Sequence, residues 1–224
     1  MSKKGVQEPE ELKKVEHALS SSEAFIEKNQ KQILYGLGIV SALVIVFLAV
    51  NNFYFKPRVI QAGDEMYKSQ LYFSTDSFKL ALEGDGFESI GFEAISSDFS
   101  MTPSGNLAKA YAGICYHRLG DYEQAIDFLS SYDGDKDYFS IAVVGLIGDC
   151  YAELGETKNA IKFFSKASAT KNDVLSPLYL KKEAIIHESE GAKDKALKLY
   201  QTIKDTYPTS MEAQDVDKYI ARLQ

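Results

Sequence analysis

The sequence predicts an all-α chain: one transmembrane helix, then an α-solenoid of three to four helix pairs, closed by a C-terminal capping helix. Three observations predict it. One uncharged apolar run lies near the N-terminus, small residues recur about every 35 positions after it, and a capping signal opens a last amphipathic stretch. The 224 residues suffice for one soluble domain with appendages, and 45% hydrophobic with 12% aromatic residues supports a packed core.

Ahead of the apolar run, residues 1–32 are expected to form a cytoplasmic tail. Leu12, Val15 and Leu19 fall at i, i+3 and i+7, the spacing of a short amphipathic helix. Such a helix suits a solvated tail, with docking to a partner as the alternative. Ser20-x-x-Glu23 has the form of a capping box that would start a fresh helix through Phe25 and Ile26.

Residues 33–55 are expected to anchor the chain. Ile33–Val50 contains 18 residues without a charge. At about 1.5 Å per residue it spans roughly 27 Å, close to a hydrocarbon thickness of about 30 Å. Lys28 and Lys31 flank one end, Lys56 and Arg58 the other, with Tyr35 and Phe53–Phe55 placed for the two interfaces. A cleaved signal peptide fits poorly, because the apolar region is too long and no A-x-A site follows. Four Lys in the twenty residues before the run, against three basic residues in the twenty after it, bias the N-terminus to the cytoplasm by one charge.

The −7 net charge belongs entirely to residues 56–224, which hold 19 basic and 26 acidic residues. An acidic domain repels phosphate backbones, which argues against nucleic-acid binding. Its organising signal is a repeat. The stretches 112–129, 147–164 and 183–200 align, with Gly120, Gly155 and Gly191 as helix-ending turns and Ala125, Ala160 and Ala196 five residues on. Gly113, Gly148 and Ala184 lie seven residues before the turns, where a small residue implies close helix packing. A weaker copy precedes them: Arg58–Tyr72 as first helix, an insertion at 74–85 carrying a short helix with Phe78, Ala81 and Leu82, then a face of Phe87, Ile90, Gly91, Ala94 and Ile95. Thr209-x-x-Glu212 is a second capping box, opening a final helix with Ala213, Val216 and Ile220 on one face.

The expected segments are therefore 56–105 (a degenerate first repeat with insertion), 106–140, 141–176 and 177–208 (three regular repeats), and 209–224 (the cap). Nucleotide-loop, zinc-protease, thiol-redox and nucleophile-elbow motifs do not occur in the sequence, and His17, His117 and His187 are too scattered to suggest metal ligands. Asp133, Asp135 and Asp137 resemble the start of a calcium loop, but Tyr138 and Val144 occupy the positions that need Gly and Glu, so an inter-helix turn is expected. Cys115 and Cys150 occupy equivalent places on consecutive first helices. Parallel helices about 8–10 Å apart hold Cα atoms too far apart for a disulfide, so two buried free thiols are expected. No catalytic residue, metal or cofactor is expected.

This period and these residues resemble the tetratricopeptide (TPR) repeat family. Tyr116 and Tyr151 on first helices, Phe128/Leu129, Phe163/Phe164 and Leu199/Tyr200 on second helices, and Pro208 match its pattern, while His187 departs from it. The resemblance implies a scaffold that binds proteins on a concave surface lined by first helices. Carried over by register, the partner-binding candidates are Leu107, Ala110, Ile114, His117 and Arg118; Ala142, Gly145, Asp149, Ala152 and Glu153; and Leu178, Lys181, Ile185, Glu188 and Ser189. Only Lys181 fits the clamp by which some members grip a peptide carboxylate, so a protein surface or unfolded segment is the expected partner. From Phe25 to Gln224 the layout is similar to the YfgM family of ancillary SecYEG translocon subunits. That similarity implies a bacterial inner-membrane protein with a periplasmic C-terminal domain, meeting translocon subunits, chaperones or exported clients. The alternative is a TPR scaffold for another envelope or secretion complex.

Overall fold

The computed structural model describes residues 10–135 and 137–224; before Phe25, only the side chains of Ser20 and Glu23 are described. Among the described residues every regular element is helical, and they divide into two units, one ending at Pro57 and one covering Arg58–Gln224.

In the first unit, α1 runs without interruption over Glu10–Val50, and Asn51–Phe55 follow as a π-helical turn. The expected restart at Ser20 does not occur. A Ser inside a helix costs little when the flanking turns are good helix formers, so a capping pattern alone does not interrupt one. The amphipathic residues Leu12, Val15 and Leu19 have side chains outside the described residues. Further along, Leu34, Leu37, Val40, Leu43, Val46 and Phe47 are all exposed, so apolar side chains leave the helix in every direction. A helix apolar all round needs either a protein core or a bilayer. One helical stretch among the described residues, Phe25–Ser74, is long and apolar enough to cross a membrane. Its most apolar window has a mean hydropathy of 2.7 and is 0% buried, so no protein core surrounds it.

The second unit begins with α2 (Lys56–Ser74), α3 (Phe78–Glu83) and α4 (Gly91–Asp98). Three helix pairs follow: α5 (Pro103–Leu119) with α6 (Tyr122–Ser131), α7 (Tyr138–Glu153) with α8 (Thr157–Ser168), and α9 (Leu175–Ser189) with α10 (Lys193–Thr206). Helix α11 (Met211–Leu223) ends the chain.

Each boundary has a local cause. Thr102, Asp121, Asp137 and Ser210 accept hydrogen bonds at helix N-termini from the amides of Gly105, Gln124, Ser140 and Ala213. Asp137 is thus a helix cap, as the inter-helix reading of its aspartate cluster requires. The last cap is Ser210, not Thr209: Ser210 is extended at ψ 159° and places its hydroxyl over the first turn. Pro177 falls in the first turn of α9, two residues inside its start, where a missing N–H is harmless. At the C-termini, Gly120, Gly155 and Gly191 adopt φ of +84°, +74° and +76°. The amides of Asp121, Glu156 and Ala192 then reach back to the carbonyls of Tyr116, Tyr151 and His187 at 2.8–3.0 Å, so one closing bond recurs in all three pairs.

Small residues hold each pair together. A Cβ on Gly113 would lie 2.5 Å from Leu129 Cγ, and one on Gly148 would lie 2.6 Å from Phe164 Cε1. Ala125, Ala160, Ala184 and Ala196 are fully buried. Beside these contacts Tyr116 stacks on Phe128 at 5.3 Å and Tyr151 on Phe163 at 5.4 Å. His187 takes the third aromatic place; it is buried and its Nδ1 has no hydrogen-bond partner among the described residues. Tyr116 and Tyr151 each belong to two successive apolar clusters, and α9 contributes residues to both the third and the fourth, so neighbouring pairs build on one another.

The degenerate copy differs from its expectation. Its second helix begins only at Gly91, and Phe87, 97% exposed, lies in the preceding loop instead of on a helix face. Gly84, Gly86 and Gly91 all have positive φ, and a Cβ on Gly91 would sit 2.3 Å from the Leu82 carbonyl oxygen. That backbone crossing leaves no room for an earlier helix turn.

Candidate functional site

First helices α5, α7 and α9 lie side by side in the array, and between them opens a cleft of about 380 Å³. Ile114, Phe139, Ala142, Val143, Leu146 and Tyr179 supply its apolar lining, while His117, Arg118 and Asp149 form its polar edge. A volume at the lower end of the range for ligand sites, about 300–1,000 Å³, admits one or two side chains and not a folded domain.

The lining follows from local sequence. On α7, Phe139, Val143 and Leu146 are at i, i+4 and i+7, with Ala142 and Asp149 on the same side. Tyr179 reaches across from α9 because α7 is bare at Gly145. A Cβ there would lie 1.9 Å from Tyr179 Cζ, so the ring occupies the volume of the missing side chain. The same ring stacks on Phe164 at 6.1 Å, and its hydroxyl donates to the Ala142 carbonyl at 3.4 Å.

Lys182 on α9 sits 2.7 Å from both carboxylate oxygens of Asp149 and 5.8 Å from the Tyr179 ring centroid. This pair ties α7 to α9 and offsets part of the Asp149 charge. Burial pushes the His117 imidazole below its ordinary pKa, opposed by the nearby Asp149 carboxylate, which leaves the ring mainly neutral at pH 7. Arg118 is exposed in the last turn of α5 and forms no ion pair among the described residues.

Five expected binding residues meet in this cleft: Ile114, His117, Arg118, Ala142 and Asp149. Two others are corrected. Ala110 and Gly145 are buried between neighbouring pairs, Ala110 against α7 and Gly145 under Tyr179, so neither faces a partner. Leu107 and Leu178 are half-buried and pack on the core, whereas Ala152 and Glu153 are exposed beyond the cleft.

The third-pair residues largely serve α11. Lys181 lies over the Tyr219 ring at 5.0 Å, and Glu188 pairs with Arg222 at 2.7 Å and accepts from the Tyr200 hydroxyl at 3.2 Å. Lys181 is therefore engaged with the end cap, and the lysine at the cleft is Lys182. Ser189 donates to the Ile186 carbonyl of its own helix, and Ile185 stays exposed.

Sequence register missed Phe139, Val143, Leu146, Tyr179 and Lys182. The i, i+4, i+7 spacing on α7 was a readable signal for the first three. Tyr179 and Lys182 depend on how far α9 leans onto α7, which no single-helix pattern encodes.

Cys115 and Cys150 are free and fully buried, and burial raises both thiols to about 12, so neither is a nucleophile. Among the described residues no group of three or more His, Cys, Asp or Glu could hold a metal.

Residues 142–173 match the tetratricopeptide repeat family model, which covers most of α7 and all of α8. No curated protein matches the chain. Solved structures do. Nearly identical TPR-like repeats assigned to a kinesin light chain of Podosopora anserina align at a TM-score of 0.56 and 13% identity, covering 73% of this chain and 85% of that one. MamA aligns at 0.51 and 16% identity, covering 69% and 91%. The fold is a TPR-like solenoid. Such repeat arrays support protein–protein interaction, and at these identities the likeness speaks for fold alone.

Proposed function

We propose that this chain is a membrane-anchored scaffold whose TPR-like solenoid holds protein segments in the cleft between α5, α7 and α9. The observation behind it is a cleft in which the half-buried Ile114, Phe139 and Leu146 face outward over the buried Val143 and Tyr179. TPR-like folds are typically non-enzymatic, and the described residues offer a recognition surface, not a set of converging acids, bases and nucleophiles.

Anchoring rests on the apolar exterior of α1, whose most apolar stretch is left uncovered by the described residues. With the N-terminus in the cytoplasm, residues 56–224 would face the periplasm of a bacterial inner membrane. The layout shared with YfgM-type proteins supports a station at the Sec translocon exit, meeting exported clients or chaperones. Phe53 and Tyr54, both exposed at the end of the apolar run, are placed to touch a membrane partner.

A photo-crosslinker at Leu146 of the full chain in native membranes tests the scaffold. Protein adducts that disappear with Leu146 moved to the opposite helix face are expected; adducts identical from both positions would remove the cleft from the account. A crosslinker at Phe53 tests the station. Translocon subunits are expected as main adducts, and subunits of another envelope complex would replace that assignment. Protease digestion of intact spheroplasts should remove residues 56–224; full protection would reverse the orientation.

A further inference from the structure

Resting on the scaffold reading, we infer that the cleft selects a short partner segment carrying one bulky apolar side chain with a single carboxylate beside it. The apolar half of this preference comes from the floor. Ile114, Phe139, Ala142 and Leu146 offer carbon surface over the buried Tyr179 ring, and about 380 Å³ accommodates one large aliphatic or aromatic group.

The acidic half comes from charge balance at the rim. Asp149 is paired with Lys182 at 2.7 Å from both oxygens. His117 is held mainly neutral by burial. Glu153, one turn past Asp149, is exposed outside the lining; its carboxylate is near enough to act on His117 but forms no ion pair with Arg118 among the described residues. Arg118 is thus the cation bordering the floor that forms no ion pair among the described residues, and its planar guanidinium suits bidentate contact with a carboxylate. The −7 carried by residues 56–224 repels broadly acidic partners, so the favoured segment has one acid within an apolar stretch and not an acidic run.

The test is selection of a random twelve-residue peptide library displayed on phage against the full chain in nanodiscs. Three forms are compared: wild type, Arg118→Glu and Leu146→Arg, each first shown to keep wild-type helicity and melting temperature. Wild-type selection should enrich Leu, Ile, Met or Phe with Asp or Glu within three residues, by about fivefold over the library, as fits a partly exposed ion pair. Arg118→Glu should turn the neighbouring preference to Lys or Arg while keeping the apolar residue. Leu146→Arg should abolish the apolar preference. Peptides whose charge preference is the same for wild type and Arg118→Glu would overturn the inference and leave the scaffold reading intact. Failure of wild type to enrich any peptide would remove both.

Discussion

In the α7–α8 pair, Gly148 lies beneath the Phe164 ring, Ala160 has no exposed surface, and Tyr151 stacks on Phe163. In the α2–α4 segment at the start of the solenoid, nothing lies within 4 Å of a Cβ built on Gly63, and Phe87 stands in solvent. There a hydrogen-bonded turn is added to a buried core of Leu82, Phe92 and Ile95. Asp85 Oδ1 accepts from the amides of Phe87, Glu88 and Ser89 at 2.8–3.0 Å, its Oδ2 accepts from the Tyr72 hydroxyl at 2.7 Å, and Ser69 and Ser89 share a buried bond at 2.9 Å. The difference teaches that the regular pair closes on side-chain volume alone, whereas the interrupted one, around a core of Leu82, Phe92 and Ile95, adds directional bonds to hold its inserted loop.

The sharpest way to break that comparison is aromatic truncation. Phe164→Ala, at a position 2% exposed, should cost about 3–5 kcal/mol by thermal unfolding of the full chain in detergent, while Phe87→Ala should stay within about 0.5 kcal/mol. Equal effects would show that the two regions are packed alike. Glycine substitution gives smaller shifts of opposite sign. Gly148→Ala should destabilise by about 1–3 kcal/mol through the Phe164 clash, whereas Gly63→Ala should stabilise by about 0.5–1 kcal/mol because only helix propensity acts there.

The bonded turn should respond to acid. Backbone amides and the Tyr72 hydroxyl hold the Asp85 carboxyl well below the usual carboxylate range. Its stabilisation is therefore fully present above the unfolded value of about 3.9 and lost as pH falls through the lower folded value. Amide resonances of Phe87, Glu88 and Ser89 should still hold their shifts where an ordinary aspartate is half protonated, at about pH 3.9, and move together only further into acid, and Asp85→Asn should reproduce the acid shifts at neutral pH. The smallest expected effect separates two thiols. Cys115 packs with the α2–α4 cluster and Cys150 with the α7 cluster, so mild urea should expose Cys115 to alkylation first. Simultaneous labelling would indicate one cooperative unit.

The period of small residues was legible without coordinates, because Gly at a left-handed helix end and Ala at a helix contact are each required by sterics at that one place. The apolar run was legible for an equally local reason: its length and lack of charge are properties of consecutive residues. Cap placement was legible to within a residue, as Ser210 in place of Thr209 shows, since both hydroxyls fit the pattern and only the backbone angle selects one. The restart at Ser20 was misread, because a capping box inside good helix-forming sequence competes with continued helix and loses.

From the residues alone came three helix pairs, their turns, the free thiols and the apolar exterior of α1, all set by interactions within about a turn of helix. Tertiary structure decided the rest. It buried Ala110 and Gly145 between pairs, assigned Lys181 and Glu188 to the end cap, and brought Tyr179 and Lys182 onto α7 from more than thirty residues away. Those outcomes depend on the lean of one helix on the next, which is a sum of contacts between distant segments and is written in no single one of them.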